Sequence, residues 1–404
     1  MIVTQHPTPQ APSFAPSLPV DKGRLPQPDE ADRARSSELV ARLAQRICAA
    51  GGWLRFDEFM QAALYEPGLG YYDAPGSKFG VQGDFTTAPE ISPLFARAIA
   101  RQLAPAFADS PGGLPERILE FGAGSGALAG ELIAELQRLG HSRLRYEILE
   151  ISSDLRARQQ ERLSGLPVRW LTQLPEEFEG VIIANEVLDV LPVRLFQRAA
   201  AGVLERGVVV EENSLRLANR EAPADLVQAV QEIEEIAGTM PDGYGSEWCP
   251  LAGAWIHALG ASLKRGYALL IDYGFPRREY YHPQRAMGTL MCHYRQHAHA
   301  EPLWMPGCND ITAHVDFSAC ARTAQEAGLE TLGYTSQAHF LLNCGILDLL
   351  MESSHGQVDP AQAGALQRLV SEAEMGELVK VLALGRGADL PMPGFVRGDR
   401  SHRL

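Results

Sequence analysis

The sequence predicts an α/β fold built on a mostly parallel, doubly wound, Rossmann-like sheet, and three observations carry that prediction. From residue 117 onward, short apolar runs alternate with helix-length amphipathic segments. A glycine-rich turn joins the first such run to the first such helix. Polar residues gather where the later apolar runs end. The 404 residues are 46% hydrophobic and 21% charged, enough apolar material for a large core. Fifty acids against 36 bases leave a net charge of −14, which argues against nucleic acid and anionic membrane as partners. No apolar run approaches the ~18 to 20 residues that span a bilayer.

Residues 1–34 hold Pro7, Pro9, Pro12, Pro16, Pro19, Pro26 and Pro28 and few large apolars, so a disordered arm is expected. A helical lid is expected over residues 35–110. Ser37 suits the N-cap of an amphipathic helix through Ala50, with Leu39, Leu43 and Ile47 on one face. Phe56 to Tyr65 reads as a second helix, stopped by Glu66-Pro67-Gly68. The loop from Gly68 to Pro89 is dense in glycine and aromatics, as binding loops and lids often are. A helix from about Ser92 to Ala104 closes the region.

The cofactor-binding βαβ core is expected over residues 111–200. Its strands are Arg117–Phe121, Arg145–Glu150, Val168–Leu171 and Gly180–Ala184, with helices over Gly126–Gly140 and Ser153–Leu163. Residues 201–265 read as an antiparallel and helical insertion, with strands Val203–Val210 and Ser214–Leu217 and helices Ala224–Ile236 and Gly253–Lys264. Residues 266–390 complete the core, with a strand Tyr267–Tyr273, a helix Phe317–Gly328 and a strand Leu329–Tyr334. Within them, residues 275–316 form an irregular insertion suited to substrate, and residues 391–404 are a tail.

Glu120-Phe-Gly-Ala-Gly-Ser-Gly126 lies where the first strand hands over to the first helix. Gly122, Gly124 and Gly126 allow a tight turn and let a ligand approach the backbone. The run also satisfies G-x-G-x-x-A, so an oxidoreductase using NAD(P) fits the pattern. Glu120 favours S-adenosyl-L-methionine instead. A carboxylate at the strand tip attracts the cationic amino-acid end of that cofactor and repels a pyrophosphate. Glu150, 28 residues after Gly122, can accept ribose hydroxyls in either case. The fourth strand ends in Asn185-Glu186-Val-Leu-Asp189 and the fifth in Asp272-Tyr273-Gly274, polar groups that face the crevice beside a switch point. From these residues the chain reads as a class I methyltransferase.

The motifs resemble the MidA family of S-adenosylmethionine-dependent methyltransferases, which is related to a mitochondrial arginine methyltransferase of complex I assembly. The resemblance rests on Gly83-Asp84-Phe-Thr-Thr-Ala-Pro-Glu90-Ile-Ser92, the Glu120–Gly126 loop, Asn185–Asp189 and Asp272–Gly274. It extends to Gly288-Thr-Leu290, Cys292-His-Tyr294 and Asp310-Ile-Thr-Ala-His314-Val-Asp316-Phe317, in order over roughly residues 37 to 387. It implies methyl transfer, with a protein arginine as acceptor and a respiratory-complex subunit as the protein that carries it. A non-catalytic assembly factor that keeps the fold is the alternative.

An arginine guanidinium stays charged, so carboxylates must hold it and accept a proton as the methyl arrives. Glu186 and Asp189 are the candidates, with Asp316 and His314 as a second acid or proton acceptor from the insertion. Gly83, Asp84 and Glu90 are expected to close over the cofactor, and Asn185 to contact it. No metal is expected: His293 and His297 stand four apart, but Tyr-Arg-Gln lies between them and Arg295 is unfriendly to a cation. Arg277, Arg278 and Arg285, interleaved with Tyr280 and Tyr281, read as a solvated loop face. The six scattered cysteines and the absence of a basic, apolar leader pattern suggest a reducing, cytoplasmic compartment. A homodimer is an assembly the sequence allows.

Overall fold

Seven strands line up in the central sheet, β1 (Arg117–Phe121), β2 (Arg145–Leu149), β3 (Val168–Leu171), β4 (Phe178–Asn185), β5 (Leu263–Phe275), β6 (Glu330–Ser336) and β7 (Val379–Arg386), and the short strand Val315–Asp316 joins as an eighth beside the end of β5. The computed structural model describes residues 25–74, 86–107, 112–353, 359–387 and 389–404. The sheet order is β6-β7-β5-β4-β1-β2-β3. Neighbours from β5 through β3 run parallel, while β7 runs antiparallel to both β5 and β6. The chain leaves β1 towards β2 on one side and returns to β4 on the other, so a crevice opens at the carboxyl ends of β1 and β4.

Side chains alternate across this sheet. Ile118, Val181, Ile183, Leu269 and Ile271 face one core with Phe95, Ile99, Leu132 and Leu136 of the helices Pro93–Leu103 and Ala127–Arg138. Leu119, Ile182, Ala184, Ala268 and Leu270 face the other, against Ile256, Leu259, Phe317 and Cys320. Both faces are apolar because helices cover both. Each fully buried Leu, Ile or Phe contributes ~1.5–3 kcal/mol.

Two additions flank the sheet. Leu54–Arg55, Gly202–Glu211, Arg194–Ala199 and Gly245–Trp248 pair antiparallel, with Ser214–Glu221 beside Gly202–Glu211. The insertion expected to be irregular contains a second small sheet, His297–His299, Met291–Tyr294 and Asp310–Thr312. His293 and His297 therefore lie on adjoining strands of a hairpin rather than on a helix.

The N-terminal helix spans Glu30–Ala49, beginning seven residues before Ser37. Asp29 caps it by accepting from the Asp32 amide at 2.8 Å. The part of the expected disordered arm from Glu30 onward is thus helical, and residues 1–24 lie outside the described residues. Leu39, Leu43, Phe56 and Phe59 pack against Val193, Val208, Cys292 and Ile311, so the N-terminal helices and the insertion share one core. Asp32 fastens that union. Its carboxylate accepts from Tyr294 Oη at 2.7 Å, Arg295 Nη2 at 2.9 Å and Arg35 Nη2 at 2.7 Å.

The expected solvated basic face holds for the exposed Arg278 but not for Arg277, Tyr280 and Tyr281. Arg277 is 4% exposed and pairs with Asp316 at 2.8 Å, and Tyr280 and Tyr281 are buried. Tyr280 Oη donates to the buried Glu247 carboxylate at 2.7 Å, which also accepts from the Thr289 amide at 2.7 Å. The Gly288-Thr289 motif thus anchors the insertion to the flanking sheet.

Candidate active site

The crevice at β1 and β4 encloses a cavity of about 360 Å³. Its floor is the turn after β1, where Gly122 and Gly124 adopt φ of +58° and +54°. That left-handed backbone is disfavoured for side chains with a Cβ, which explains the glycines. Gly126, at φ +81°, caps the following helix instead and does not line the cavity.

Glu120 lines the cavity from the tip of β1 and is 2% exposed. Burial pushes its carboxyl up to about 8, with Glu150 adding to the rise and a 2.8 Å hydrogen bond from Tyr146 Oη opposing it. Glu150, just past β2, accepts from the Ser152 amide at 2.9 Å and from Gln159 Nε2 at 2.9 Å. Burial also raises its pKa. The same Gln159 nitrogen donates to the Gly124 carbonyl at 2.9 Å, so one buried amide holds the glycine turn and Glu150 together.

Beyond β4 the backbone turns sharply, with Glu186 at φ +53°. Asp272 of β5 stabilises this turn: its Oδ2 accepts from the amides of Val187 at 3.1 Å, Leu188 at 2.9 Å and Asp189 at 3.3 Å. Glu186 accepts from Asn185 Nδ2 at 3.3 Å and from the Ala88 backbone. Burial, then Asp272, pushes the Glu186 carboxyl up to about 8. Burial, then Asp272, Glu186 and Asp310, raises Asp189 well above the usual carboxylate range. The buried oxygens Asn185 Oδ1 and Asp189 Oδ1 have no hydrogen-bond partner among the described residues.

The cavity thus brings together Glu90, Glu120, Gly122, Gly124, Glu150, Asn185, Glu186 and Asp189. Glu90 accepts from Ser125 Oγ on the glycine turn. Gly83 and Asp84 lie outside the described residues. Asp316 and His314 are not brought to the cavity, which corrects their expected place beside the reacting groups. Asp316 is spent as the N-cap of the helix Phe317–Glu326, accepting from the Ala319 amide at 3.0 Å, and as the partner of Arg277. His314 lies between Tyr273 and Phe275, with ring centroids 6.2 and 5.2 Å away. Burial, then Arg285 and Lys380, lowers its pKa to about 4, so it is neutral at ordinary pH. Sequence reasoning missed Tyr65, Tyr72, Trp255 and Asp310, which also line the cavity. Asp310 had a signal, since it opens one of the quoted motifs.

S-adenosyl-L-methionine fits these residues. Among the described residues the lining has five glutamates and aspartates besides Glu90 and neither lysine nor arginine, so it favours a cation and disfavours the phosphates of a dinucleotide. The two unpartnered oxygens are ready acceptors. Raised carboxyl pKa values give the fit a pH signature. The native protein holds protons on Glu120 and Glu186 between the ordinary 4.5 and about 8, so the ligand-free fold loses stability as pH rises through that window. A cation prefers the ionised carboxylates. S-adenosyl-L-methionine and S-adenosyl-homocysteine both carry the ammonium that Glu120 is expected to meet, so affinity for either should rise between pH ~6 and ~9, by up to about tenfold per pH unit as that carboxyl releases its proton. Calorimetry across that range would show a flat affinity if Glu120 did not face the ammonium.

Comparisons with known proteins agree with this reading. Residues 98–335 match the family described as "Putative S-adenosyl-L-methionine-dependent methyltransferase". The mitochondrial protein arginine methyltransferase NDUFAF7 of Mus musculus is 29% identical over 397 residues, covering 88% of this chain and 86% of its own. That of Bos taurus is 30% identical over 401 residues, covering 88% and 85%. A Burkholderia thailandensis protein crystallised with S-adenosyl-homocysteine superposes with a TM-score of 0.87 at 47% identity, covering 94% of this chain and all of that one. The mitochondrial relatives overturn the expected cytoplasmic compartment, because scattered free cysteines mark only a reducing interior. The resemblance to the MidA family and the Rossmann-like class I fold both stand. The nicotinamide and non-catalytic alternatives find no support in them. On its sequence match, its fold and the charge of its cavity, the chain belongs to this family of S-adenosyl-L-methionine-dependent methyltransferases.

Proposed function

We propose that the protein transfers the methyl group to an arginine side chain of a protein substrate. The observation that carries this reading is the pair Glu186 and Asp189, a half-buried and a buried acid in the donor cavity whose ionisation is suppressed by burial and by the neighbouring Asp272. A guanidinium supplies that cation and presents planar N–H donors to carboxylate oxygens. The relatives named protein arginine methyltransferases support the same acceptor.

Glu120 holds the amino-acid end of the donor, Glu150 the ribose hydroxyls, and Gly122 and Gly124 admit its close approach. When bound, the donor supplies a methyl carbon on a cationic sulfur, which leaves with the carbon–sulfur electron pair. Glu186 and Asp189 orient the guanidinium so that one nitrogen offers its lone pair to that carbon. As the nitrogen–carbon bond forms, the nitrogen must lose a proton, and one of the two carboxylates receives it. Burial makes the ionised form of such a carboxyl a stronger base than an exposed carboxylate.

The test is to incubate lysate from cells lacking the protein with purified enzyme and radiolabelled S-adenosyl-L-methionine, then hydrolyse the labelled band to amino acids. Label in methylarginine is the expected result, and label in another residue would discard arginine. The band's identity tests whether the substrate is a respiratory-complex subunit, and light scattering of the pure protein tests the homodimer.

A further inference from the structure

The acids of the cavity fall into two groups. Glu120 and Glu150 act on each other, beside the glycine turn. Glu186 and Asp189 instead feel Asp272 and Asp310. Asp272 is committed to the amides of the turn after β4. Asp310 is not part of that turn. It stands at the start of the strand Asp310–Thr312 in the insertion, 2% exposed and on the cavity wall.

Its surroundings fix it there. Tyr72 Oη donates to Asp310 Oδ1 at 2.9 Å, and Tyr72 stacks on Tyr65 with centroids 5.5 Å apart. Tyr65 Oη donates to the Val190 carbonyl at 3.1 Å, and the Ala313 amide to the Asp189 carbonyl at 2.9 Å. Tyr65 and Ala313, the residue after the insertion strand, are therefore bonded to the Glu186–Leu191 segment, and Tyr72 reaches it through Asp310. Three carboxylates, the buried Asp189 and Asp310 and the half-buried Glu186, line the cavity with the rings of Tyr65 and Tyr72, a combination that suits a planar monocation.

Resting on the arginine reading, we propose that Asp310 is a third carboxylate of the acceptor site, contacting the guanidinium directly, with Tyr72 as its positioning residue. The insertion then supplies specificity for the methyl acceptor and leaves donor binding to the β1–β4 crevice.

The test varies the amount of acceptor lysate at saturating labelled donor and compares Asp310→Asn and Tyr72→Phe with wild type. Asp310→Asn is expected to raise the half-saturating lysate concentration at least about tenfold, with the maximal rate falling less than about threefold. Tyr72→Phe keeps the charge and loses only the tether, so a rise of roughly two- to fivefold is expected. Affinity for S-adenosyl-homocysteine should stay within about twofold in both. Equal effects of the two variants would reduce Asp310 to an anchor for Tyr72 and overturn the proposal. An unchanged Tyr72→Phe would overturn it too, even if Asp310→Asn did not fold. Hydrolysis separates the two levels: methylarginine with unaltered variants sinks only the role of Asp310, whereas label on another residue sinks the guanidinium site with the arginine reading.

Discussion

Valine in place of Gly124 is expected to abolish donor binding. The position has φ +54°, a region that a β-branched residue adopts only at a cost of roughly 1–3 kcal/mol. The added methyls would also stand on the cavity floor, where the donor must approach the backbone. Together these should weaken S-adenosyl-homocysteine binding by at least about 100-fold. The Gly124 carbonyl bonds Gln159, so any backbone shift that relieves the valine also disturbs Glu150. Titration calorimetry on the folded variant decides the matter, and affinity within about threefold of wild type would remove the turn from the site.

Replacing Glu186 by glutamine should separate chemistry from donor binding. Glutamine keeps the length of the side chain and an oxygen for the Ala88 and Asn185 donors, but it can neither balance a guanidinium nor take its proton. A loss of about 100- to 1000-fold in kcat is expected, with the donor affinity within a few fold of wild type. Steady-state kinetics on labelled substrate measure it. A variant retaining a third or more of the wild-type rate would leave Glu186 a structural residue of the turn.

Much of this architecture can be read directly from residue order. Arg117–Phe121, Phe56–Tyr65 and Val168–Leu171 have in the structure the bounds their patterns predict, because local apolar spacing and a proline stop determine them. Arg194–Ala199 escaped notice for a physical reason: Arg194 and Gln197 are buried in that strand, and their polarity hides its alternation. Arg194 tolerates burial because it pairs with the equally buried Glu205 at 2.8 Å. The start of the N-terminal helix was hidden in the same way by Asp32 and Ser36 on its inner face.

The site divides along similar lines. Glu120, Glu150 and Glu186 follow from strand ends, which a pattern locates. Asp310 lies more than 120 residues beyond Glu186, and only the folded insertion brings it to the same cavity. Asp316 misled because an acid before a helix reads equally as a ligand group or as a cap, and here it is the cap.

The shared core of the N-terminal helices and the insertion has a consequence for biosynthesis. Leu39, Leu43, Phe56 and Phe59 leave the ribosome some 230 residues before Cys292 and Ile311, against which they pack. Val193 and Val208 arrive earlier, but until the insertion follows, part of that apolar surface stays uncovered, the kind that chaperones shield and that aggregates when they do not. The crevice strands β1 to β4 can pair meanwhile, so the half of the enzyme that grips the donor is assembled before the half that receives its methyl group has a wall.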